Sequence, residues 1–301
     1  MPLLKDIWRV GIVAAPMQGL LAPGALAAQT VSWLPEEGPL RFLADPFGIW
    51  RDGRLYLFAE AYDYRDRKGA IELLVLDTAF KVAERRRVLE EAWHLSYPVL
   101  IEDGGQTYML PEAHKSGRLT LYRAAAFPDR WEPAAAIELD QIPIDATPVF
   151  HQGLWWLFYT PATTKLEKVA ALHLAFAESL LGPWTPHPGN PVRMDLASAR
   201  PGGTPVLVDG ELVLPVQDCA RTYGGAVRPL RIHVLTPDRF EATAGEAITA
   251  PRGFAPYTRG LHTISSAGGV TLIDAKRQHW SPATLALDVR RRLAESSKRR
   301  G

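Results

Sequence analysis

The sequence predicts an all-β fold, a five-bladed β-propeller, and two observations predict it. One motif recurs four times: a proline, a short apolar strand, a polar or glycine turn, and a second apolar strand. The motif prolines stand 52, 50 and 57 residues apart, at Pro46, Pro98, Pro148 and Pro205. A repeat of about 50 residues that contains several short strands is typical of propeller blades.

The turns and the third strands of the repeat support this prediction. Aspartate-glycine pairs, which tolerate positive φ, connect the first two strands of three copies: Asp52-Gly53, Asp103-Gly104 and Asp209-Gly210. A third strand with alternating apolar residues follows, as in Arg118–Arg123. Counting four strands per copy, we predict one domain over residues 1–301, with blades at about 42–91, 94–140, 144–190, 200–248 and 257–282.

The two ends of the chain are expected to complete the ring. The fifth copy, His262–Asp274, is weaker than the others and leaves too few residues after it for a full blade. Trp8–Val13 has the pattern of a strand, and we expect it to close the fifth blade, so that no long sheet edge stays exposed. Ala283–Ser297 predicts a short C-terminal helix.

The N-terminal segment has an alternative interpretation as a secretory signal peptide. Lys5 and Arg9 precede the mostly apolar stretch Val10–Ala28, which is the order of residues in such a signal. Two prolines and a glutamine interrupt the stretch, so a strand in a cytoplasmic protein is the favoured interpretation. Cys219 is the only cysteine, which rules out an intrachain disulfide and fits a reducing compartment.

The composition excludes several classes of function. The chain is 47% hydrophobic and 22% charged, which is enough for a large core and unlike a disordered protein. Its 34 basic and 33 acidic residues give a net charge of +1, without the basic excess of a nucleic-acid-binding protein. No uninterrupted apolar run is long enough to span a bilayer. We therefore expect neither a nucleic-acid partner nor a membrane span.

The candidate site lies where the innermost strands of the blades begin, around the central channel. Polar residues occupy these positions and the ends of the second strands: Asp45, Glu60, His94, Tyr97, Glu112, Asp145, Thr160, Arg200, Asp218, Arg259 and His262. Buried charges must be paired or solvated, so their convergence in a concavity predicts a functional site. In the alternative interpretation, each of these residues only caps a turn or satisfies the core.

The first of these positions resembles a known superfamily. Ala44-Asp45-Pro46 resembles the start of the catalytic-base strand in glycoside hydrolase family 43 and its invertase and levansucrase relatives. This resemblance implies a second aspartate that opens the third blade, where Asp145 stands three residues before Pro148. It also implies a fifth-blade histidine that helps bind a metal or water, where His262 stands.

The same resemblance leaves the general acid open. In family 43 this glutamate usually stands between the third and fourth blades, where this chain has Glu178 and then Arg200. Glu178 lies at a strand end that looks exposed, so Glu112 is the best replacement candidate.

A second group resembles the chain over more of its length, from about Trp8 to Arg277. The motifs look like those of the N-terminal propeller of plant glucosamine inositolphosphorylceramide transferases and of bacterial propellers found beside formyltransferase-like domains. They are Phe42-Leu-Ala-Asp-Pro-Phe47, His94-Leu-Ser-Tyr-Pro98, Met109-Leu-Pro-Glu112, Gly182-Pro-Trp-Thr-Pro-His-Pro188, Ala199-Arg-Pro-Gly202 and Gln217-Asp218. The resemblance implies a glycosyltransferase or a formyltransferase-like protein as a partner.

The residues and the resemblances together give one hypothesis with two alternatives. The first hypothesis is a glycoside hydrolase or transglycosylase in which Asp45 is the base or nucleophile, Asp145 tunes the pKa and Glu112 is the acid. The alternatives are a non-catalytic glycan-binding propeller that assists a glycosyltransferase, and a protein-interaction propeller with exposed apolar patches. The expected ligand of the first two is a carbohydrate or glycoconjugate, held by His94, Tyr97, Arg200, Asp218, Tyr223, Arg259, His262, Trp50 and Glu60.

We expect no cofactor and no metal site of the calcium or zinc type. The chain has no dense carboxylate loop and no zinc-ligand spacing. His262 would still allow a cation in the channel, held through water.

Overall fold

The computed structural model describes residues 4–298, and these residues form five antiparallel sheets, the blades of a five-bladed propeller. The predicted fold class is confirmed. The chain begins with two strands that belong to the last blade, β1 (Lys5–Val13) and β2 (Val31–Trp33). Between them lie the one-turn helix α1 (Met17–Leu20) and a 3₁₀ turn at Ala25–Ala28.

The first three blades follow in chain order. The first comprises β3 (Arg41–Arg51), β4 (Arg54–Asp63), β5 (Lys68–Leu76) and β6 (Val82–Leu89). The second comprises β7 (Ser96–Asp103), β8 (Gln106–Glu112), β9 (Leu119–Ala126) and β10 (Arg130–Ile137), with a 3₁₀ turn at His114–Ser116. The third comprises β11 (Pro143–His151), β12 (Leu154–Pro161), β13 (Ala171–Ala177), β14 (Thr185–Pro186) and β15 (Arg193–Met194), with α2 (Glu167–Ala170) between β12 and β13.

The last two blades and a helix complete the chain. The fourth blade comprises β16 (Arg200–Pro201), β17 (Val206–Val208), β18 (Glu211–Asp218), β19 (Ala226–Leu235) and β20 (Phe240–Ala244). A 3₁₀ turn at Arg252–Phe254 precedes the fifth blade, which comprises β21 (Ile264–Ala267) and β22 (Val270–His279) together with β1 and β2. The predicted C-terminal helix is α3 (Pro282–Lys298).

The N-terminal strand closes the ring, as the sequence predicted. β1 pairs antiparallel with β22 over its full length, with Val10 opposite Asp274, and the strand order in this blade is β21-β22-β1-β2. Val10 and Ile12 are fully buried among residues of the first blade. Lys5 of β1 forms a buried ion pair of 2.9 Å with Asp288, which fixes α3 to the same strand.

Apolar side chains fill the space between neighbouring blades. Between the first two blades, Phe58 and Leu73 pack with Met109 and Trp131 in one buried cluster. Comparable clusters lie between each other pair of adjacent blades. The apolar core is therefore divided into radial layers between the blades.

A β-bulge recurs in the first strand of three blades and corrects the proline-based alignment. The register shifts between Ala44 and Phe47, between Ser96 and Val99, and between Ile144 and Thr147. The first bulged residues are Asp45, Tyr97 and Asp145, and all three have a positive φ, of 51°, 46° and 49°.

The bulges make Asp145 the direct counterpart of Asp45. Asp145 follows Ile144 in the third blade as Asp45 follows Ala44 in the first, so Ala146 occupies the place of Pro46. Asp145 stands three residues before Pro148 because that proline lies further along its strand than Pro46 does.

Candidate functional site

A pocket of about 350 Å³ lies on the axis of the propeller, because all five blades contribute side chains to it. Asp45 and Glu60 come from the first blade, and Glu112 comes from the second. The remaining lining residues are Asp6, Trp8, Phe42, Tyr62, Tyr64, His94, Ser96, His114, Ile144, Lys168, Arg200, Tyr223 and His262.

The structure brings seven of the twelve predicted site residues together in this pocket: Asp45, Glu60, His94, Glu112, Arg200, Tyr223 and His262. Two more, Asp145 and Tyr97, lie buried behind it and bond to the groups that line it. The remaining three, Trp50, Asp218 and Arg259, do not line the pocket.

Asp218 does not line the axial pocket, and its neighbour Gln217 takes the equivalent channel position. In the ladder of the fourth blade, Gln217 pairs with Arg200, as Glu60 pairs with Ala44 in the first blade. Because neighbouring residues on a strand point to opposite faces, Gln217 is fully buried and Asp218 faces a second pocket, where Arg259 also lies. The channel position therefore holds an amide in this blade.

Trp50 lies at the far end of its strand from Asp45. It stands next to the β3–β4 turn, with its ring 6.5 Å from that of Phe80. A residue five positions along an extended strand from Asp45 is about 16 Å away, which is why Trp50 does not line the axial pocket.

Asp45 is the centre of a buried hydrogen-bond network. Its Oδ1 accepts a hydrogen bond of 2.7 Å from the hydroxyl of Thr263, and its Oδ2 accepts one of 3.2 Å from the backbone N–H of Tyr97. Its own N–H donates to Asp274 Oδ2 over 2.9 Å, and His262 Nε2 lies 3.5 Å from Oδ1. Burial, opposed by His262 and aided by the charge of Asp274, raises the pKa of Asp45 to about 6.

Asp274 is a site residue that sequence reasoning missed. It is fully buried and accepts hydrogen bonds from the backbone N–H groups of His262 and Thr263, over 3.1 and 3.0 Å. It ends the second part of the fifth repeat copy, the position held by Glu60 and Glu112 in the first two blades. That equivalence was the signal that could have identified it.

Asp145 is neutralised by a cation that lines the pocket. Arg200 Nε donates to Asp145 Oδ2 over 2.7 Å, and Gln217 Nε2 donates to the same oxygen over 3.0 Å. Burial raises the pKa of Asp145, although Arg200 acts to lower it. Arg200 also donates to the carbonyl of Lys168 over 2.8 Å, which fixes its guanidinium plane at the pocket wall.

Glu60 lies opposite a neutral histidine. His94 Nδ1 accepts a hydrogen bond of 2.8 Å from the N–H of Gly69, so its proton is on Nε2, which lies 3.6 Å from Glu60 Oε1. Burial lowers the pKa of His94 to about 4. Burial also raises the pKa of Glu60 well above its ordinary value, and the charges of Asp45 and Glu112 raise it further.

Glu112 has the opposite protonation preference. His114 donates to its Oε1 from the backbone N–H, over 2.8 Å, and from ring Nδ1, over 2.5 Å. Ser96 donates to Oε2 over 3.2 Å. Burial acts to raise the pKa of Glu112, but the hydrogen bonds and charge of His114 lower it below its ordinary value. The surroundings of Glu112 therefore favour its ionised form, whereas those of Glu60 favour the protonated form.

Aromatic rings form one side of the pocket. The rings of Phe42 and Tyr62 stack with their centroids 5.0 Å apart, and Tyr64 meets Tyr62 edge-on at 5.1 Å. Trp8 stacks on His262 with the ring centroids 3.8 Å apart, and the ammonium group of Lys276 lies 5.2 Å from the centroid of the Trp8 ring. Such rings next to carboxylates are suited to the apolar faces and hydroxyl groups of a sugar.

Three buried groups are close enough together to hold a metal ion. Ligand atoms of Asp45, His262 and Asp274 all lie within 4.8 Å of one another. The pKa of His262 is raised, because Asp274 and Asp45 outweigh the lowering effect of burial. A proton on His262 therefore competes with a cation for the same two carboxylates.

Comparison with known proteins identifies the family. A family model described as glucosamine inositolphosphorylceramide transferase 1, N-terminal, matches residues 23–251. The chain belongs to this family. The protein named glucosamine inositolphosphorylceramide transferase 1 of Oryza sativa subsp. indica is 35% identical over 257 residues, which cover 81% of this chain and 34% of that protein. The Arabidopsis thaliana protein of the same name is 35% identical over 285 residues, 91% of this chain and 36% of that protein.

The family relationship covers only part of these longer relatives. The chain spans about a third of the length of the curated relatives that it matches. The family match includes Asp45, Glu60, Glu112, Asp145 and Arg200. No helix within residues 4–298 is long and apolar enough to cross a membrane.

Two solved structures with similar folds are glycoside hydrolases. A family 117 glycoside hydrolase of Zobellia galactanivorans aligns with a TM-score of 0.57 and 13% identity, covering 80% of this chain and 87% of that one. The catalytic domain of a family 62 α-L-arabinofuranosidase from Coprinopsis cinerea aligns with a TM-score of 0.56 and 12% identity, covering 82% and 95%. At these identities the likeness shows the shared propeller fold.

Proposed function

We propose that the axial pocket binds a carbohydrate or glycoconjugate and acts on a glycosidic bond, with Glu60 as proton donor and Asp45 as base or nucleophile. One observation carries this proposal. Two buried carboxyl groups line the same pocket, and their surroundings favour a protonated Glu60 and, near neutral pH, an ionised Asp45. Glycoside cleavage and transfer need this pair of an acid and a base or nucleophile.

Neighbouring residues would orient Asp45 and bind the substrate. Asp45 keeps its orientation through Thr263 and the N–H of Tyr97, and its positive φ holds the carboxyl group at the bulge. Ionised Glu112 would accept hydrogen bonds from substrate hydroxyl groups, and Arg200 would donate to substrate oxygens while it neutralises Asp145. The fold likeness to glycoside hydrolases supports this reading.

A second candidate function is a glycan-binding propeller that assists a glycosyltransferase. The relatives are named transferases, and this chain matches about a third of their length. In addition, Arg200 stands in the region between the third and fourth blades where the resemblance to family 43 implies a general-acid glutamate. Its guanidinium group is already paired with Asp145. In this function the pocket would hold the glycan without turnover.

A pair of variants separates the two functions. Asp45→Asn suits the site because asparagine tolerates positive φ, and its amide can bond to both Thr263 and the N–H of Tyr97. Asp209→Asn is the matched control, since Asp209 also has a positive φ, of 52°, but lies exposed in a surface turn.

Aryl glycosides and nucleotide sugars would be screened as substrates by mass spectrometry, and glycan binding would be measured by calorimetry. We expect turnover by the wild type and by Asp209→Asn, and a loss of about 10²–10⁴-fold in Asp45→Asn. Glycan binding without turnover in the wild type would instead establish the binding function. Turnover that is unchanged in Asp45→Asn would reject the assignment of Asp45.

A further inference from the structure

A second cavity, which we call the arginine pocket, lies beside the axial pocket and has a volume of about 620 Å³. Its charged lining residues are Arg221, Arg228, Arg259 and Asp218. Three threonines, Thr222, Thr249 and Thr258, also line it. The volume is within the range of sites that hold small organic ligands.

The arginine pocket has an excess of positive charge. Its one carboxylate, Asp218, is already bonded to Arg228 Nε over 3.0 Å. Arg228 Nη1 donates to the carbonyl of Gly245, also over 3.0 Å. No acidic side chain in the described part of the chain forms an ion pair with Arg221 or Arg259. Two uncompensated guanidinium groups in one concavity repel each other and attract an anion.

The hydroxyl group of Thr222 accepts a hydrogen bond from Lys276, which leaves its own hydrogen available for such an anion. Buried Lys276 donates to Thr222 Oγ1 over 3.3 Å, which occupies a lone pair of that oxygen and leaves its hydrogen for another acceptor. Lys276 also pairs with Asp6 Oδ2 over 3.1 Å and donates to the carbonyl of Tyr223. Thr222 is thus held by the core of the fifth blade.

The two pockets share a wall. Residues 219–225 form a loop that is closed at its base, where the N–H of Gly225 donates to the carbonyl of Asp218 over 3.0 Å. Tyr223 of this loop lines the axial pocket, and Arg221 and Thr222 line the arginine pocket. Gly224 has a φ of 57°, and a Cβ there would lie 2.6 Å from His262, so the loop packs directly on the axial site.

We propose that the arginine pocket binds the phosphate group of a phosphorylated ligand. A planar guanidinium group can donate two parallel hydrogen bonds to two oxygens of one phosphate group. The threonine hydroxyls would donate to the remaining oxygens. The cavity is larger than a phosphate ion, so it leaves room for the group to which the phosphate is esterified. Through the shared loop, the phosphate of a glycoconjugate would lie next to a sugar in the axial pocket.

Titration calorimetry with inorganic phosphate tests the site without any turnover. The variants are Arg221→Gln, Arg259→Gln and the double variant, and Arg130→Gln is the matched control because it removes one exposed arginine of the second blade. We expect saturable binding to the wild type and to Arg130→Gln. Each single variant should bind at least about tenfold more weakly, and the double variant should show no saturation.

Further titrations with other anions define the class of ligand. Dimethyl phosphate and phenyl phosphate compare diesters with monoesters, and binding of either ester at least as tight as that of inorganic phosphate supports the proposal. Acetate that competes as well as phosphate would overturn phosphate selectivity. Absence of saturable binding to the wild type, or equal weakening in Arg130→Gln, would overturn the site itself. Asp45→Asn should leave phosphate binding unchanged, so this proposal and the proposed function can fail independently.

Discussion

Glu60 and Glu112 occupy the same place on neighbouring blades, yet their carboxyl groups have opposite pKa shifts. Each pairs with the residue just before the bulge in the first strand of its blade, Ala44 for Glu60 and Ser96 for Glu112, and both are buried. The residue two positions later differs: it is Tyr62 in the first blade and His114 in the second. His114 donates twice to Glu112, whereas no such donor follows Glu60 among the described residues.

The repeat therefore determines where a carboxyl group stands but not whether it is protonated. Burial acts to raise the pKa of both groups. At Glu60 the charge of Asp45 adds to burial, while at Glu112 the hydrogen bonds of His114 outweigh it. The presence or absence of one hydrogen-bond donor therefore decides whether the glutamate favours its protonated or its ionised form.

The largest expected effect is on turnover. Glu60→Gln removes the proton donor, and we expect kcat to fall by about 10²–10⁴-fold. Glu112→Gln removes only an acceptor for substrate hydroxyl groups, and we expect the larger part of its effect in KM. Kinetics on aryl glycosides check both, and the loss in Glu60→Gln should shrink as the leaving group becomes more acidic. A larger loss of kcat in Glu112→Gln than in Glu60→Gln would reverse the assignment.

The next effect is on stability and concerns the paired aspartate. Arg200→Gln leaves buried Asp145 without its cation, and we expect a loss of about 3–5 kcal/mol in the free energy of unfolding. The loss should be greater at pH 8 than at pH 5, because Asp145 can escape its unpaired charge by protonation at low pH.

The control for this variant is an exposed ion pair. Arg231 lies 3.2 Å from Glu211, and both side chains are 42% exposed. Arg231→Gln should cost less than about 1 kcal/mol in urea unfolding. Equal losses in the two variants would mean that the Asp145–Arg200 pair has no special role in the core.

The sequence was sufficient to predict the fold because propeller blades repeat their turn chemistry. Aspartate-glycine turns and alternating strands marked the blades, and the short fifth copy implied closure by the N-terminal strand. The same repeat located Asp45 and Glu60 at the channel. These predictions depend on local patterns, which a sequence displays directly.

The sequence was less informative about strand register, where a shift of one or two residues changes which side chain reaches the channel. The bulge at Asp145 could not be seen in a proline-based alignment, and the ladder that makes Gln217 the channel residue depends on pairing with Arg200. A shift of one residue moves a side chain to the other face of the strand, as Asp218 shows. The roles of Glu60 and Glu112 depend on the positions of donors, which only the folded chain defines.

A smaller effect concerns the pH dependence of stability at Asp45. Its pKa is raised from 3.8 to about 6, so the folded state holds this proton more tightly than the unfolded state does. The resulting stability is present below about pH 3.8 and is lost as the pH rises through about 6. Asp45→Asn lacks this loss, so its stability relative to wild type should rise by up to about 3 kcal/mol between pH 4 and 7. Urea unfolding across this range checks it, and Asp209→Asn should give a flat difference.

The smallest effect we expect comes from exchanging the residues that distinguish the two glutamates. Tyr62→His should place a donor beside Glu60 and lower its pKa, and His114→Tyr should raise the pKa of Glu112 by removing one. Because the proposed acid must be protonated to act, Tyr62→His should move the alkaline limb of the pH–rate profile to lower pH by about one to two units. Carboxyl NMR titration of the two glutamates measures both shifts directly. Tyr62→Phe keeps the ring that stacks on Phe42 and adds no donor, so its alkaline limb should stay in place. If Tyr62→His and Tyr62→Phe give the same profile, the donor two residues after the glutamate does not control its protonation.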